Sequence, residues 1–352
     1  MPFVFSIKDT YRAAVEAATG GKNTVLYDDK GNPSIMVVIP KFNIADVITG
    51  GAATPHPAFI VNGVVKDAIY VSKYQNVVSD SRAYSLPMQD PANSLSFDSA
   101  KTNCQNKGQG WHLMTNAEWA AIALWCKKNN FMPRGNNNYG SDVAASHEVG
   151  KMTYMSSPTQ IGRVATGSGP AAWAHDNTNE GIFDLNGNVS EWVGGMRLNA
   201  GEIQIIKDND AAIYNADQTV NSALWKALLA DGSLVAPGTA DTLKWDYVAS
   251  KIQLCKTITV QADASRSNTF ETTTAEGTVT PPEILKALAL HPVDSSHGGD
   301  YLYMNNGAGL ERLPRRGGFW NNGANAGVFN LHLSYPRSIV DTLLGFRSAF
   351  VL

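Results

Sequence analysis

Beyond Asn129 the chain is mostly Gly, Asn, Ser and Pro, broken by brief apolar runs. Thirty-one glycines and eight tryptophans fall within 352 residues. Long loops stay ordered in a compact domain when large aromatics pin them, so this pattern points to an α+β fold with aromatic-anchored loops. At 37.8 kDa the length allows one large domain or two ordinary ones. Hydrophobic residues make up 43% and charged residues 17%, which places the chain among globular proteins. Twenty-eight basic residues lie dispersed among 31 acidic ones, leaving no footprint of a nucleic-acid binder.

The cysteines, Cys104, Cys126 and Cys255, stand far apart. Without a CxxC pair, a zinc ribbon and a thioredoxin-like dithiol are excluded. One disulfide could form; three reduced, buried thiols are the blander alternative. The first residues, MPFVFSIKDTYRAAVEAATGGK, lack a basic region followed by a long apolar stretch. No run reaches the roughly 18 apolar residues of a membrane span. The expectation is a protein with no cleaved signal peptide and no membrane insertion.

Residues 1–54 read as a small α/β unit with a linker, suited to attachment or assembly. Tyr11, Ala14, Val15 and Ala18 recur at helical spacing and stop at Gly20-Gly21. Two β-rich runs, 24–27 and 34–39, flank the turn cluster Asp28–Pro33 and predict a hairpin. So small a unit buries little surface alone and needs a neighbour or an oligomer. Thr49–Pro55 reads as the linker. From Phe59 the domain 55–352 opens with short strands, 59–65 and 68–74, and two amphipathic helices. Thr115-Asn116-Ala117-Glu118 fits a capping box, and behind it Trp119, Ile122, Ala123 and Cys126 mark one buried face. Residues 216–231 and 281–290 look helical and 257–262 looks like a strand, in the least legible part of the chain.

Two places carry dense signal: Gly181–Trp192, with Asp184, Gly187 and Glu191, and the run Arg315–Phe350. In the first, Gly187 can take φ > 0 and turn the chain sharply. Asp184 and Glu191 then meet exposed carbonyls, a cage of hard oxygens suited to calcium. Alternatively, both carboxylates cap turns and accept backbone N–H bonds. Trp192 and Trp320 read as core aromatics.

Together with Leu113–Trp119, these motifs resemble the formylglycine-generating-enzyme (sulfatase-modifying-factor) branch of the C-type lectin fold. Its helix, GNV-x-EW, RGG-x-W and GFR motifs recur here in order across residues 55–352. The resemblance implies a C-type lectin fold with long loops. It also implies structural calcium held by Asp184 and Glu191 side chains and by the Gly187 and Val189 carbonyls. The enzymes of that branch use a cysteine pair between RGG-x-W and GFR to bind copper. Residues 319–346 contain no cysteine, so oxidase chemistry lacks its thiolates.

Other chemistry is equally unsupported. Seven histidines never form HExxH, and Gly167–Ala172 mimics a dinucleotide loop but carries Pro170 and has no clear preceding strand. Glu16 stands where a phosphate loop needs its first glycine. The EPN or QPD tripeptide of a sugar lectin is missing, and Trp320-Asn321-Asn322 only approximates WND.

The C-terminal run suits binding. Apolar and polar residues alternate from Val328 to Ser334, predicting a half-buried strand with Phe329, Leu331 and Leu333 inward and Asn330, His332 and Ser334 outward. Aromatic and Asn side chains beside it are good recognition groups; an ordinary solvated strand face is the bland alternative. The segment resembles the variable region of the variable proteins of diversity-generating retroelements. These keep a framework while mutagenic retrohoming rewrites the remaining codons. The framework residues present are Arg316, Gly317, Gly318, Trp320, Gly323, Ala326, Gly327, Phe329, Leu331, Leu333, Arg337, Ser338, Gly345, Phe346, Arg347, Ser348 and Ala349.

The resemblance implies a variable region, 315–352, with ligand-binding positions at Phe319, Asn321, Asn322, Asn325, Asn330, His332, Ser334, Tyr335, Pro336, Ile339, Val340, Asp341, Thr342, Leu343 and Leu344. It implies a non-enzymatic, hypervariable ligand-binding protein with a protein or cell-surface receptor as partner, no nucleic acid, and no catalytic cofactor. Homo-oligomerisation or attachment to a larger assembly would run through residues 1–54. The expected setting is a phage tail or prophage product, with the bacterial surface by another route as second. A related oxidase or modifying enzyme and a sugar-binding lectin are the alternatives.

Overall fold

A computed structural model describes residues 9–352; the first eight residues of the expected N-terminal unit lie outside the described residues. Helix α1 (Thr10–Ala18) starts at Asp9, whose carboxylate accepts the Arg12 N–H at 2.7 Å. Strands β1 (Asn23–Tyr27) and β2 (Pro33–Pro40) form the expected hairpin. Asp28 Oδ1 holds its turn by accepting the Lys30 and Asn32 amides. Next come β3 (Ala68–Ser72), α2 (Phe97–Gln105), β4 (Trp111–Leu113), α3 (Asn116–Lys128) and β5 (Ser190–Trp192). The C-terminal half adds β6 (Arg266–Thr269), β7 (Tyr301–Met304), β8 (Arg315–Gly317), β9 (Gly327–Leu333), β10 (Leu344–Phe346) and β11 (Ser348–Phe350).

One five-stranded sheet runs β1-β2-β3-β11-β4. The hairpin expected as a separate unit therefore shares a sheet with the C-terminal strand, β2 pairing β3 antiparallel from Met36–Ser72 to Pro40–Ala68. The burial that so small a unit cannot find alone comes from this neighbour. The expected linker folds back on the helical turn Ile44–Val47, where the Ile44 and Ala45 amides donate to the Thr54 and Ala52 carbonyls at 2.9 Å.

A six-stranded sheet, β6-β7-β9-β8-β5-β10, carries the C-terminal run. A third sheet takes most of its strands from residues 196–275. In it Trp225–Leu228, expected as helix, is a strand paired with Gln204–Ile206. Trp225, Ala227 and Leu228 are buried there, and tertiary burial overrides local pattern. Segment 257–262 forms no strand. The Thr259 and Val260 amides bond to the Asp246 carboxylate and the Ala262 amide to Asn306 Oδ1, which takes those three out of any ladder. Of the expected 281–290 helix, Glu283–Ala287 forms.

Helix α3 has the predicted capping box: Glu118 N donates to Thr115 Oγ1 at 3.1 Å, and Thr115 N to Glu118 Oε2 at 2.9 Å. Its burial is wider than one face, since every residue from Asn116 to Leu124 is buried. The helix lies inside the main core, where Trp119 Nε1 donates to the Val328 carbonyl of β9 at 2.7 Å. All three cysteines are free and buried.

Candidate ligand-binding site

The Gly181–Trp192 loop folds around a buried polar knot. Gly187 has φ +80°, and a Cβ there would lie 2.0 Å from the Asn136 carbonyl oxygen, so glycine is required. Gln75 Nε2 points into the loop, within hydrogen-bond reach of the Asp184, Gly187 and Val189 carbonyls at 3.2, 3.4 and 2.9 Å, and of Glu191 Oε1 at 3.0 Å. Its Oε1 accepts from Asn188 Nδ2 at 3.0 Å, which fixes the amide's orientation. Glu191 is also clamped by Arg347, Nε to Oε2 at 2.6 Å and Nη2 to Oε1 at 2.5 Å. Asp184 Oδ2 accepts the Gly167 amide at 2.9 Å while Oδ1 is buried without a partner, and burial pushes this carboxyl up to about 6.

Three of the four groups proposed to cage calcium, the Gly187 and Val189 carbonyls and the Glu191 carboxylate, thus converge on an amide NH₂ with a guanidinium behind it, while Asp184 meets that amide only through its main-chain carbonyl. A divalent cation would meet donor hydrogens and a fixed positive charge, so the residues present do not fit calcium. The alternative of carboxylates accepting N–H bonds describes the loop. Excess EDTA is accordingly expected to leave the melting temperature unchanged; a clear drop would show metal linkage to the native state. Gln75 left no trace in the sequence pattern, since an amide 116 residues from Glu191 shares no spacing with it, whereas Asn188 lies inside the GNV motif without having been given a role.

The C-terminal run divides into an interior frame and an outer face. Arg316 is fully buried, its guanidinium donating to Asn116 Oδ1 at 2.7 Å and to the Ala289 carbonyl at 3.0 Å. Gly327 fits only without a side chain, since a Cβ there would lie 2.1 Å from Asp300 Oδ1. Arg337 pins the loop after β9 through Glu311, with Nε and Nη2 at 2.8 and 3.0 Å, and reaches Asp98 at 2.9 Å. Trp192 packs in a core cluster; Trp320, 3% exposed, lies instead against Tyr154 and Arg163 in the loop layer.

Phe329, Leu331 and Leu333 face the core as expected. Tyr335, Pro336, Val340, Thr342 and Asn321 are exposed; Phe319, Asn322, Asn325, His332, Ser334, Ile339, Asp341 and Leu343 are half-buried. Two expected contact residues are interior. Asn330 is 2% exposed because the turn Gly323–Asn325 covers it and the Asn325 carbonyl accepts its Nδ2 hydrogen at 2.8 Å. Leu344 is fully buried because β10 lies along β5, placing it in the cluster with Trp192 and Phe346. Ile339 packs partly against the same cluster.

The outer face is organised by sheet register. Tyr303 of β7, His332 of β9 and Arg315 of β8 are direct cross-strand neighbours, so their side chains share one face. The Tyr303 and His332 rings stack at 4.5 Å and 14°. Tyr335 tilts over His332 at 5.1 Å, and the Arg315 guanidinium sits 4.2 Å from the Tyr335 ring centre. With Phe319, Asn322, Asp341 and Leu343 they line a pocket of about 200 Å³. Arg315 and Tyr303 are further site residues the sequence reading missed. Arg315 adjoins the RGG motif, but Tyr303 lies in none of the motifs read from the sequence.

No curated protein matches the chain. Among solved structures it is similar to PvdO from Pseudomonas aeruginosa, at 16% identity and a TM-score of 0.34, over 94% of this chain and 98% of that one. It is also similar to Treponema denticola variable protein 1, at 12% identity and a TM-score of 0.32, over 93% and 98%. The sulfatase-modifying factor enzyme 1-like domain matches residues 10–211, which takes in the hairpin, the capped helix and the Asp184–Trp192 loop. That match covers more than half of the sequence, and the chain belongs to this family.

Proposed function

We propose that this chain is a non-enzymatic ligand-binding protein whose specificity is rewritten through its C-terminal segment, as in the variable proteins of diversity-generating retroelements. The observation that carries the reading is the partition of that segment. Framework residues are interior, with Gly323, Arg337 and Ser338 the exceptions, while most positions between them, Val328, Asn330 and Leu344 apart, are half-buried or exposed, and six of them line one pocket. A frame held by Arg316, Arg337 and Arg347 keeps the backbone in place while outer side chains change, which lowers the ordering cost of binding. Catalysis has little support: residues 319–346 hold no thiol, and Cys255, the cysteine least removed from solvent, is pushed up to about 12 by burial.

The ligand we infer is a protein or cell-surface receptor, recognised without metal at the contact. A phage tail or prophage product is the proposed setting, and the bacterial surface the second. Among the described residues no helix is long and apolar enough to cross a membrane. Avidity would come from several copies held together, with residues 1–54 as the proposed attachment or assembly region. The test is an exchange of residues 319–344 with a sibling allele, followed by binding to each allele's ligand. Specificity is expected to travel with the segment and to persist in excess chelator. Specificity that stays with the rest of the chain would refute the reading.

A further inference from the structure

Arg315 differs from the other buried arginines of this fold. Arg347 is clamped on Glu191, and Arg197 reaches Glu311. Arg316 has no carboxylate, and its Nη1 is unpartnered, but its Nε and Nη2 are taken up by Asn116 and two backbone carbonyls. Arg315 is 3% exposed and its Nε has no partner; its guanidinium meets the Tyr335 side chain, and Asp341, the carboxylate that acts on it, forms no direct ion pair with it. Its guanidinium rests on the Tyr335 ring and lines the pocket. A buried charge without its counter-charge is costly, and a fold that keeps one beside a cavity keeps it for something that enters.

We propose that this pocket binds a carboxylate of the ligand, with Arg315 as its ionic anchor. The inference rests on the binding reading above and names the chemistry of that same site. A guanidinium fork matches a carboxylate with two parallel hydrogen bonds, and the pocket would supply the desolvation that strengthens them. The Tyr303, His332, Phe319 and Tyr335 rings wall the cavity, suiting a flat group, and Asn322 adds a polar contact. His332 Nδ1 is buried and unpaired. Burial and the nearby Arg315 hold this imidazole well below its ordinary range, so it adds no second positive charge. Arg315 itself is lowered by burial to about 10 and stays charged at neutral pH.

One other charge faces the cavity. Asp341 lines the same wall without pairing with Arg315, and its Oδ1 accepts the Leu343 amide at 3.0 Å. A single positive and a single negative group favour a monoanion over a phosphate dianion. They also give the test a sign: removing Asp341's charge is expected to strengthen carboxylate binding.

The experiment titrates the full chain with benzoate and with benzamide, its neutral counterpart, followed by NMR shifts of pocket residues. Benzoate is expected to bind at least ~10-fold tighter, the scale of a charge-assisted hydrogen bond over a neutral one. Arg315→Met is expected to erase that preference without lowering the melting temperature, because an apolar chain of similar length replaces an unpaired buried charge. Arg315→Lys is expected to keep part of it, and Asp341→Asn to increase it. Equal binding of the two probes, or weaker benzoate binding in Asp341→Asn, would overturn the proposal. Should Arg315→Met fail to fold, the Lys and Asn variants still decide. N-acetylglutamate α-amide and N-acetylalanine then distinguish a side-chain carboxylate from a chain-terminal one. If benzoate shows no preference while segment exchange still moves specificity, the carboxylate fails alone; if exchange also fails, the binding reading fails with it.

Discussion

Replacing Arg347 with methionine is expected to remove about 3–5 kcal/mol of stability, the usual cost of deleting one partner of a buried ion pair. Both side chains of the Arg347–Glu191 pair are essentially sealed from water. Besides Glu191, the guanidinium donates to the Ser72 carbonyl at 3.1 Å and the Phe183 carbonyl at 3.0 Å. Methionine leaves Glu191 charged with only the Gln75 amide to face it, and leaves two carbonyls without these donors. Each unsatisfied buried group costs about 1–3 kcal/mol, so the losses reinforce one another. Urea midpoints would measure this, and adding Glu191→Gln should recover a part by removing the stranded charge. A loss below about 1 kcal/mol would mean that something other than this knot holds the loop.

Legibility in the sequence followed the range of the interactions. The Thr115–Glu118 capping box, the Asp28–Pro33 turn and the strand read from the Val328–Ser334 alternation are local devices, and each element forms where the pattern puts it. Failures arose where distant partners decide. Trp225–Leu228 becomes a strand because Gln204–Ile206 pairs with it. Asn330 lies on the outward side of its strand by periodicity, yet the Gly323–Asn325 turn folds over it. Glu191 looks like a cation ligand until Gln75 and Arg347 arrive from distant parts of the chain to satisfy its carboxylate. The pocket suffered most, because Tyr303, Arg315 and His332 meet through sheet register, which one-dimensional spacing does not carry.

The other large effect expected is at Phe346, where alanine should cost about 3–5 kcal/mol, as for a fully buried aromatic. Phe346 has no exposed surface and lies in a cluster with Trp192, Leu344 and Phe97. Its strand pairs in parallel with β5, Trp192 directly opposite Phe346, and Trp192 meets Phe97 edge-on at 5.9 Å. The fold offers little to refill a hole there, because both neighbouring rings are fixed by their own strand and helix. The comparison is a fourfold change of Phe319, Tyr335, Val340 and Thr342 to serine, each expected to shift stability by less than about 0.5 kcal/mol. Ile339 stays out of that set because it packs partly on the Phe346 cluster, and serine there would mix the two effects. Val340 is 56% exposed, and Tyr335, 38% exposed, rests on Arg315 and His332 without entering any of the hydrophobic core clusters. Thermal melts of the two variants therefore read directly whether this segment separates fold from recognition. A fourfold variant that melts as low as Phe346→Ala would make the outer face part of the core, and a segment of that kind could not be rewritten without losing the fold.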